Sequence, residues 1–244
     1  MKKTFVIGDI HGAALALQQI LTRANVSPAD TLIFLGDFVD GWSGSFQTIE
    51  LLMKLGEQQQ CIFIKGNHDA WCEEWLQTGV ADKNWLFYGG QSTVESYANC
   101  DEPTKQKHVE FFNRCRNYYV DSANRLFIHA GFTSMHGPVK ETFPSNYNWD
   151  RTLWEVARSL DKTMPIESKL YPKRLKIFKE IYLGHTPTLH YDVTVPMQAA
   201  SVWNIDTGAA FNGKLTIMDI DSKEFWQSDE AFTFYPGETG RTSD

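Results

Sequence analysis

The stretch Phe5-Val6-Ile7-Gly8-Asp9-Ile10-His11-Gly12 joins a short apolar run to two polar residues that lie between glycines. Two more apolar runs follow at residues 32–35 and 61–64. Between these three runs, residues 14–24 and 46–55 carry apolar side chains at the spacing of an amphipathic helix. This β-α-β-α-β order predicts an α/β protein with a largely parallel sheet and crossover helices.

The later strands are short and are separated by glycine and aspartate, which predicts antiparallel additions. They are expected at residues 181–183, 202–205, 215–220 and 224–227, and a further strand is expected before them at residues 126–128. Residues 69–124 are rich in aromatic side chains and show no strand rhythm. The composition marks no linker, so we expect a single domain over residues 1–244.

Helix boundaries can also be predicted from local residues. Ser45 is a candidate N-cap for the helix over residues 46–55. Further helices are expected at residues 149–160 and 172–180. The second of these would expose a row of cations to solvent: Lys173, Arg174, Lys176 and Lys179.

The composition excludes several protein classes. Of 244 residues, 42% are hydrophobic and 22% are charged, which argues against a disordered or collagen-like chain. The net charge of −7 disfavours broad binding to nucleic acid or to anionic membranes. No apolar run approaches the ~18 residues of a membrane helix, and no signal peptide is recognised. The four cysteines form no C-x-x-C pair, so we expect a cytoplasmic protein with reduced thiols.

Five short polar blocks follow predicted strands, and each contains glycine. They are Gly8-Asp9-Ile10-His11-Gly12, Gly36-Asp37-Phe38-Val39-Asp40-Gly41, Gly66-Asn67-His68-Asp69, Ile128-His129-Ala130-Gly131 and Gly184-His185-Thr186. Because ligands bind beyond the carboxyl ends of parallel strands, these loops are expected to converge. One such block alone is more often a turn, but packing demands hardly produce five in this order.

The side chains of the blocks are carboxylates, imidazoles and one amide, without a thiolate. This mixed set of nitrogen and oxygen donors suits Mn, Fe, Zn or Co. Two such ions ~3.5–4 Å apart would form the clamp used for in-line displacement at phosphorus. A single aspartate of the second block could bridge both ions and set that spacing.

The five blocks resemble the signature of calcineurin-like metallophosphoesterases. Their longer forms resemble the PPP-type branch, which includes serine/threonine phosphatases, small bacterial and phage relatives, and symmetrical diadenosine tetraphosphate hydrolases. The resemblance covers residues 8–186 by motif. It implies a two-sheet β-sandwich flanked by helices, a four-layer α/β/β/α fold. It also implies two metal ions, manganese first, with Fe, Zn or Co as alternatives.

Six residues match the metal ligands of the family: Asp9, His11, Asp37, Asn67, His129 and His185. By this resemblance, Asp9 and His11 would hold the first metal, Asp37 would bridge, and the other three would complete the second site. His68 would protonate the leaving oxygen while Asp40 orients it. A metal-bridging hydroxide would attack phosphorus directly, so no serine or cysteine nucleophile is needed.

Phosphate binding is where the chain departs from the family. Members usually read Val-Asp-Arg-Gly, where the arginine grips phosphate, but Gly41 stands at that position here. Members also often carry an arginine where this chain has Lys65, which lacks the bidentate fork. Arg151 is the candidate replacement for the missing arginine, and Lys65 is the other candidate phosphate contact. The alternative interpretation of Arg151 is a surface ion pair with Asp150 or Glu155.

We expect a metal-dependent phosphoesterase acting on phosphomonoesters, including phosphoserine or phosphothreonine on proteins. A second interpretation is hydrolysis of diadenosine polyphosphates, and a third is a non-catalytic scaffold. The intact ligand set disfavours the scaffold, and Val39-Asp40 with the acidic charge disfavours a nuclease. The expected partner is a phosphorylated protein or a small phosphoester, with no membrane and no stable nucleic-acid partner. The oligomeric state is left open.

Three further residues have two interpretations each. Trp71 and Trp75 lie four residues apart on a predicted helix, and core packing is favoured over a substrate platform. Asp206, within Ile205-Asp206-Thr207-Gly208, either holds a ligand histidine in its metal-binding tautomer or stabilises a turn.

Overall fold

The structure, a computed structural model, describes residues 2–241. Ten strands run through this part of the chain: β1 (Thr4–Ile7), β2 (Thr31–Phe34), β3 (Gln60–Phe63), β4 (Tyr118–Val120), β5 (Arg125–Ile128), β6 (Glu180–Leu183), β7 (Met197–Ala199), β8 (Val202–Asn204), β9 (Lys214–Asp219) and β10 (Phe225–Glu230). Its α-helices are α1 (Ala14–Arg23), α2 (Ser45–Gln58), α3 (Asn67–Thr78), α4 (Lys83–Trp85), α5 (Gln91–Ser96), α6 (Glu102–Arg114), α7 (Asn146–Trp149) and α8 (Thr152–Ser159).

The first sheet has the strand order β10-β9-β1-β2-β3. Its strands β1, β2 and β3 are parallel, with Phe5 beside Leu32 and Leu32 beside Cys61. Strands β9 and β10 are added antiparallel, with Val6 beside Met218. The predicted parallel core of this sheet and its antiparallel additions are therefore confirmed.

The second sheet has the order β4-β5-β6-β8-β7. Its inner strands β5, β6 and β8 are parallel, and the edge strands β4 and β7 are antiparallel to their neighbours. The antiparallel pairing predicted for residues 181–183 and 202–205 is therefore wrong, because the long connections from β5 to β6 and from β6 to β8 return each strand in the same direction. Both sheets therefore contain parallel strands whose carboxyl ends are followed by loops, and such loops commonly carry ligand-binding residues.

Side chains that alternate along the strands build the layers of the fold. In β1, Phe5 and Ile7 pack with Leu17 of α1 in a core beneath the helices. Val6 points the other way, into an apolar layer that it shares with Tyr182 of the second sheet. Helix α8 covers the outer face of that second sheet. The two sheets pack face to face between helices, so the expected four-layer α/β/β/α fold is confirmed.

The helix predicted over residues 172–180 is wrong. A single 3₁₀ turn (Lys173–Lys176) occupies part of it, and β6 begins at Glu180. Arg174 is not on a solvated face, because it is 8% exposed. Its Nη1 donates to the Phe132 carbonyl at 2.7 Å and to Thr152 Oγ1 at 3.0 Å. The arginine is buried because it ties two loops together.

Helix starts also differ from the local prediction. The Asp150 carboxylate accepts from the backbone N–H groups of Thr152 and Leu153, both at 3.1 Å, and α8 begins there rather than at residue 149. Helix α2 begins on Ser45, which is its first residue instead of its cap. The Ser45 hydroxyl accepts from the backbone N–H of Asp40 at 3.0 Å.

The aromatic region without strand rhythm contains α4, α5 and α6, followed by the edge strand β4. No helix within residues 2–241 combines the length and apolar character needed to cross a bilayer.

Candidate active site

The five glycine-containing blocks meet at the carboxyl ends of parallel strands. Three of them follow β1, β2 and β3 of the first sheet, and two follow β5 and β6 of the second. Their polar side chains are buried together, and none is more than 6% exposed: Asp9, His11, Asp37, Asp40, Asn67, His68, His129 and His185. The structure therefore brings eight of the ten predicted site residues into one cluster.

Asp37 lies at the centre of the cluster. Its Oδ2 is 3.5 Å from His11 Nε2 and 3.4 Å from His129 Nε2. Two groups of potential ligand atoms share this aspartate: His11 and His68 on one side, and His129 and His185 on the other, with the atoms of each group within 4.8 Å of one another. Asp37 thus occupies the position that a bridging ligand requires.

The remaining donors lie beside these groups. Asn67 Oδ1 is 3.1 Å from His129 Nε2 and 3.0 Å from His185 Nδ1. Asp9 Oδ2 accepts from the backbone N–H of His185 at 3.0 Å. Asp9 Oδ1 and His185 Nε2 are buried without a hydrogen-bond partner among the described residues. Buried polar atoms are normally satisfied, so these two atoms point to a missing ligand.

The backbone of the cluster is strained. His11, Asp37, Asp40 and His185 have positive φ angles of 51°, 51°, 74° and 67°. Residues other than glycine rarely adopt this left-handed region, and such strain concentrates at functional sites. The loops therefore hold these side chains in directions that relaxed turns would not give.

Asp69 fixes two of the loops to each other. Its Oδ2 accepts from the backbone N–H groups of Asp37 and Gly66, and its Oδ1 accepts from that of Phe38, all at 2.8 Å. Asp69 is not among the site residues predicted from the sequence. Its signal was its place in the first turn of α3, where capping-box acids lie three residues after the N-cap.

The carboxylates of the cluster destabilise one another when ionised. Burial, followed by the charges of Asp206 and Asp37, raises the pKa of Asp9 well above its ordinary value. Burial raises the pKa of Asp37, Asp69 and Asp206 to about 7 in each case. So many buried acids require compensating positive charge to be ionised at neutral pH.

The histidines have the opposite shift. Burial lowers the pKa of His129 to about 4 and lowers the pKa of His11 and His185 well below the ordinary range. Each of these imidazoles is therefore neutral at pH 7, which is the protonation state that binds metal.

The donor set fits two divalent cations. Asp9, His11 and Asp37 would hold one of them, and Asp37, Asn67, His129 and His185 would hold the other. The unpartnered buried atoms, the neutral imidazoles and the crowded carboxylates each meet a requirement of such a centre.

A second arrangement lies next to Asp37. His68 Nδ1 is 2.5 Å from Asp40 Oδ2, and Asp40 Oδ1 accepts from Thr93 Oγ1 at 2.6 Å. His68 Nε2 is buried and has no hydrogen-bond partner among the described residues. Because Asp40 orients one ring nitrogen, the other is free to exchange a proton with a bound molecule.

A cavity of about 590 Å³ lies beside His68, which forms part of its lining. Its lining combines site residues, aromatic rings, one further amide and two arginines: Asn67, His68, His185, Trp71, Tyr88, Trp149, Asn84, Arg151 and Arg241. Trp71 stands edge-on to His68 with ring centroids 5.3 Å apart, and Trp149 stands edge-on to Trp71 at 5.0 Å. Aromatic walls and cations thus surround the buried polar cluster.

The calcineurin-like phosphoesterase family matches residues 2–209, which is most of the chain. This chain belongs to that family. Calcineurin-like phosphoesterases use a dimetal centre, in agreement with the donor set described above. The chain is therefore a metallophosphoesterase, and its relatives place it with the PPP-type enzymes.

Two relatives are similar over nearly their full length. A bis(5'-nucleosyl)-tetraphosphatase PrpE [asymmetrical] of Oceanobacillus iheyensis is 25% identical, covering 91% of this chain and 90% of the relative. Serine/threonine-protein phosphatase 1 of Salmonella typhimurium is 24% identical, covering 90% and 92%. A solved structure provisionally described as a diadenosine tetraphosphatase superposes with a TM-score of 0.62 at 15% identity, covering 93% and 92%.

The two predicted phosphate contacts of this phosphoesterase lie in different places. Arg151 lines the cavity, and its charge is one cause of the lowered pKa of His185. Lys65 is not among the described residues that line it, and its Nζ is 2.5 Å from Glu73 Oε2. Lys65 therefore pairs with Glu73 of α3, outside the lining of this cavity.

Four residues of the cavity lining were not predicted as site residues: Asn84, Tyr88, Trp149 and Arg241. Trp71 and Trp75 both pack against the core of the first sheet, as predicted, and Trp71 also lines the cavity. Nothing in the sequence indicated Tyr88 or Arg241. Asp206 Oδ1 accepts from the backbone N–H of Gly208 at 3.0 Å, as in a turn, and its charge also acts on Asp9.

Proposed function

We propose that this metallophosphoesterase hydrolyses bis(5'-nucleosyl) tetraphosphates. The observation that carries the proposal is the pairing of aromatic rings with arginines around one cavity that opens onto His68. A dinucleoside polyphosphate presents flat bases, which stack on aromatic side chains, and a chain of anionic phosphates, which pair with arginine. The cavity of about 590 Å³ also lies within the usual range of small-molecule sites.

The chain's own residues have separate tasks in this proposal. In its imidazolium form, with Nδ1–H donating to the Asp40 carboxylate, His68 would donate the proton on Nε2 to the leaving oxygen and return to the neutral ring. Burial lowers the pKa of His68, so the negative charge of Asp40 is what would stabilise that form. Arg151 would pair with phosphate oxygens, and Trp149 would support a base. We propose manganese as the metal. When bound, two such divalent cations supply a nucleophile from water and neutralise phosphoryl charge.

The PrpE relative supports asymmetrical cleavage, since that word is part of its name. Asymmetrical cleavage of diadenosine tetraphosphate gives ATP and AMP, whereas symmetrical cleavage gives two ADP. We propose the asymmetrical outcome for this chain.

Hydrolysis of phosphomonoesters, including phosphoserine and phosphothreonine on proteins, is the second candidate. The Salmonella phosphatase supports it, because its identity to this chain is 24% against 25% for the PrpE relative. The half-open rim also favours it, since Trp149 is 44% exposed and leaves the cavity accessible to a larger substrate.

A substrate panel with added Mn²⁺ separates the candidates. It compares diadenosine tetraphosphate, a phosphoserine peptide, p-nitrophenyl phosphate and bis(p-nitrophenyl) phosphate by kcat/KM, with chromatography of the nucleotide products. We expect the highest kcat/KM for the dinucleotide, with ATP and AMP as products. A higher value for the phosphopeptide would replace the proposal by the second candidate, and two ADP would reverse the cleavage mode.

The variant Trp149→Ala tests the role of the aromatic wall. Stacking on one base contributes about 1–3 kcal/mol, so kcat/KM for the dinucleotide should fall by about 5- to 150-fold. The value for a phosphoserine peptide without aromatic side chains should change by less than about twofold, because this substrate offers no ring to stack. Phe225→Ala, on an exposed ring outside the cavity lining, is the matched control. An equal loss for both substrates would show that Trp149 acts on the cluster and not on a base.

A further inference from the structure

Arg241 reaches the cavity from a segment that the five blocks do not include. It belongs to residues 235–241, which follow the last strand and lie against the loop after β2. The Arg241 backbone N–H donates to the Ala210 carbonyl at 2.8 Å. Gly240, with φ of +70°, packs so closely on Trp42 that an added Cβ would lie 2.8 Å from that ring.

Two further contacts fasten this segment. The Glu238 carboxylate accepts from the backbone N–H of Ser43 at 2.9 Å and from its hydroxyl at 2.7 Å. The Tyr235 ring stacks on Trp42 with centroids 5.4 Å apart, and its hydroxyl donates to the Gly12 carbonyl at 3.1 Å. The segment is therefore held against Trp42 and Ser43, which follow the second block, and against Gly12 of the first block, so Arg241 has a defined position.

The backbone next to the catalytic loop leaves room for this arginine. Gly41 and Gly89 have φ angles of +93° and +112°, and the N–H of Gly41 donates to the Gly89 carbonyl at 3.1 Å. A Cβ on Gly89 would lie 2.9 Å from Cγ of Arg241, and one on Gly41 would lie 3.4 Å from its backbone N. Arg241 thus passes over the glycine that follows Asp40, where a side chain at position 89 would obstruct it.

The guanidinium has an unsatisfied donor. Nε of Arg241 is buried and has no hydrogen-bond partner among the described residues. Its Cζ lies 5.5 Å from the centroid of the Phe211 ring, which supports the group from one side. Arg241 also lines the cavity that contains His68 and Arg151. A buried cationic donor at the wall of a cavity is suited to an anion that enters that cavity.

We propose that Arg241 is a phosphate-binding residue that contacts the phosphoryl group attacked at this site, with residues 235–241 acting as the element that positions it. This inference rests on the proposed function only in requiring phosphoester hydrolysis in this cavity. It assigns to the end of the described chain the contact that position 41, a glycine, cannot make.

The test compares Arg241→Met and Arg241→Lys in the metal-loaded protein. Met keeps the length of the stem beside Gly89 but removes the charge, so kcat/KM for p-nitrophenyl phosphate should fall by about 10- to 150-fold, the equivalent of a charge-assisted hydrogen bond. Lys should recover only part of the loss, because it lacks the planar fork. Arg158→Ala, an exposed arginine over the Tyr191 ring, is the control and should change kcat/KM by less than about twofold.

Binding of inorganic phosphate, measured by calorimetry, gives a readout independent of turnover. Its Kd should rise in Arg241→Met by a factor similar to the loss in kcat/KM, with the metal content unchanged. Glu238→Ala, which releases the segment from Ser43, should weaken phosphate binding less than Arg241→Met does. Wild-type values for both kcat/KM and phosphate Kd in Arg241→Met would overturn the proposal. Hydrolysis of p-nitrophenyl phosphate that depends on Arg241, without hydrolysis of diadenosine tetraphosphate, would instead contradict the proposed function alone.

Discussion

Trp85 and Asp40 are joined by a hydrogen bond of 2.6 Å from the indole Nε1 to Oδ2 of the carboxylate. The same oxygen lies 2.5 Å from Nδ1 of His68. Thr93 donates to the other oxygen of Asp40 at 2.6 Å. The partner of the proposed acid is therefore itself held by two donors, both fully buried.

Trp85→Phe should impair proton transfer without loss of metal. Burial raises the pKa of Asp40 to about 7, and the bonds from Thr93 and Trp85 act against that rise. Removing the indole N–H should raise this pKa further, so the acidic limb of the kcat profile should move to higher pH. A neutral hydrogen bond contributes about 0.5–1.5 kcal/mol, so kcat at pH 7 should fall by about 2- to 12-fold.

Trp75→Phe is the matched control for this change, because Trp75 packs against Trp85 with centroids 5.6 Å apart. It removes a comparable amount of ring from the same aromatic group. Its kcat profile should keep the wild-type pH dependence. A shift of equal size in both variants would assign the effect of Trp85 to packing.

His68→Asn should separate proton donation from metal binding. General acid–base groups contribute about 10²–10⁴-fold, so kcat for alkyl phosphates should fall by that factor. The loss should be much smaller for p-nitrophenyl phosphate, whose leaving group needs no proton. Elemental analysis should find the wild-type metal content. Loss of metal instead would make His68 a ligand together with His11 and Asp37, which lie within reach of it.

Strands and polar blocks could be predicted because their signals are local. A run such as Val6 and Ile7 followed by Gly8 and Asp9 contains both the buried strand and the loop after it. The helix predicted over residues 172–180 rested on cations at helical spacing. It was wrong because Arg174 is buried by its contact with the Phe132 carbonyl, which lies far away in the sequence.

The residues that hold the site from outside the five blocks could not be predicted. Each of them reaches the site only through contacts between segments that are far apart in the sequence. Trp85 and Thr93 come from the aromatic region without strand rhythm, and only tertiary packing turns them toward Asp40. Arg241 lies beside Gly41 only after the last strand has joined the first sheet. Lys65 was predicted to contact phosphate because it lies close to Asn67 in the sequence. Its side chain pairs instead with Glu73 of α3.

Gly184→Ala should damage the centre through Asp9. A Cβ at this position would lie 2.0 Å from Asp9 Oδ1, the buried oxygen without a partner among the described residues. The carboxylate would have to move, so metal content should fall below two ions per chain and activity should fall with it. Gly56→Ala, on α2 and 3.4 Å from the nearest atom, should keep metal and activity. Full metal occupancy in Gly184→Ala would contradict this account of the motif glycine.

We expect the Asp37 carboxylate to lower the stability of the metal-free chain and to raise it when cations are bound. Its pKa is raised by burial from 3.8 to about 7, so between these values the metal-free folded chain binds more protons than the unfolded chain. Stability of the metal-free chain should therefore fall as pH rises through this window. Asp37→Asn removes the charge and should melt several degrees above wild type in EDTA at pH 8, since 1 kcal/mol corresponds to about 2–4 °C in a chain of this size.

Melting temperatures measured from pH 4 to 8, in EDTA and with excess Mn²⁺, test this prediction. The advantage of Asp37→Asn in EDTA should be small at pH 4 and grow toward pH 8. The buried histidines, whose pKa values are lowered, act in the opposite direction in both proteins and cancel in the comparison. With Mn²⁺ the order should reverse, because the variant has lost the oxygen that both ligand groups share.

Asp30→Asn is the control with the opposite sign in EDTA. Burial acts against ionisation of Asp30, but hydrogen bonds from the backbone N–H groups of Lys3 and Ser27 lower its pKa overall. Its carboxylate therefore stabilises the fold above its unfolded pKa, and that stability is lost as pH falls toward the folded value. Asp30→Asn should melt below wild type at pH 8 with or without Mn²⁺. Equal melting temperatures of wild type and Asp37→Asn in EDTA at pH 8 would show that the buried carboxylate is already compensated without a cation.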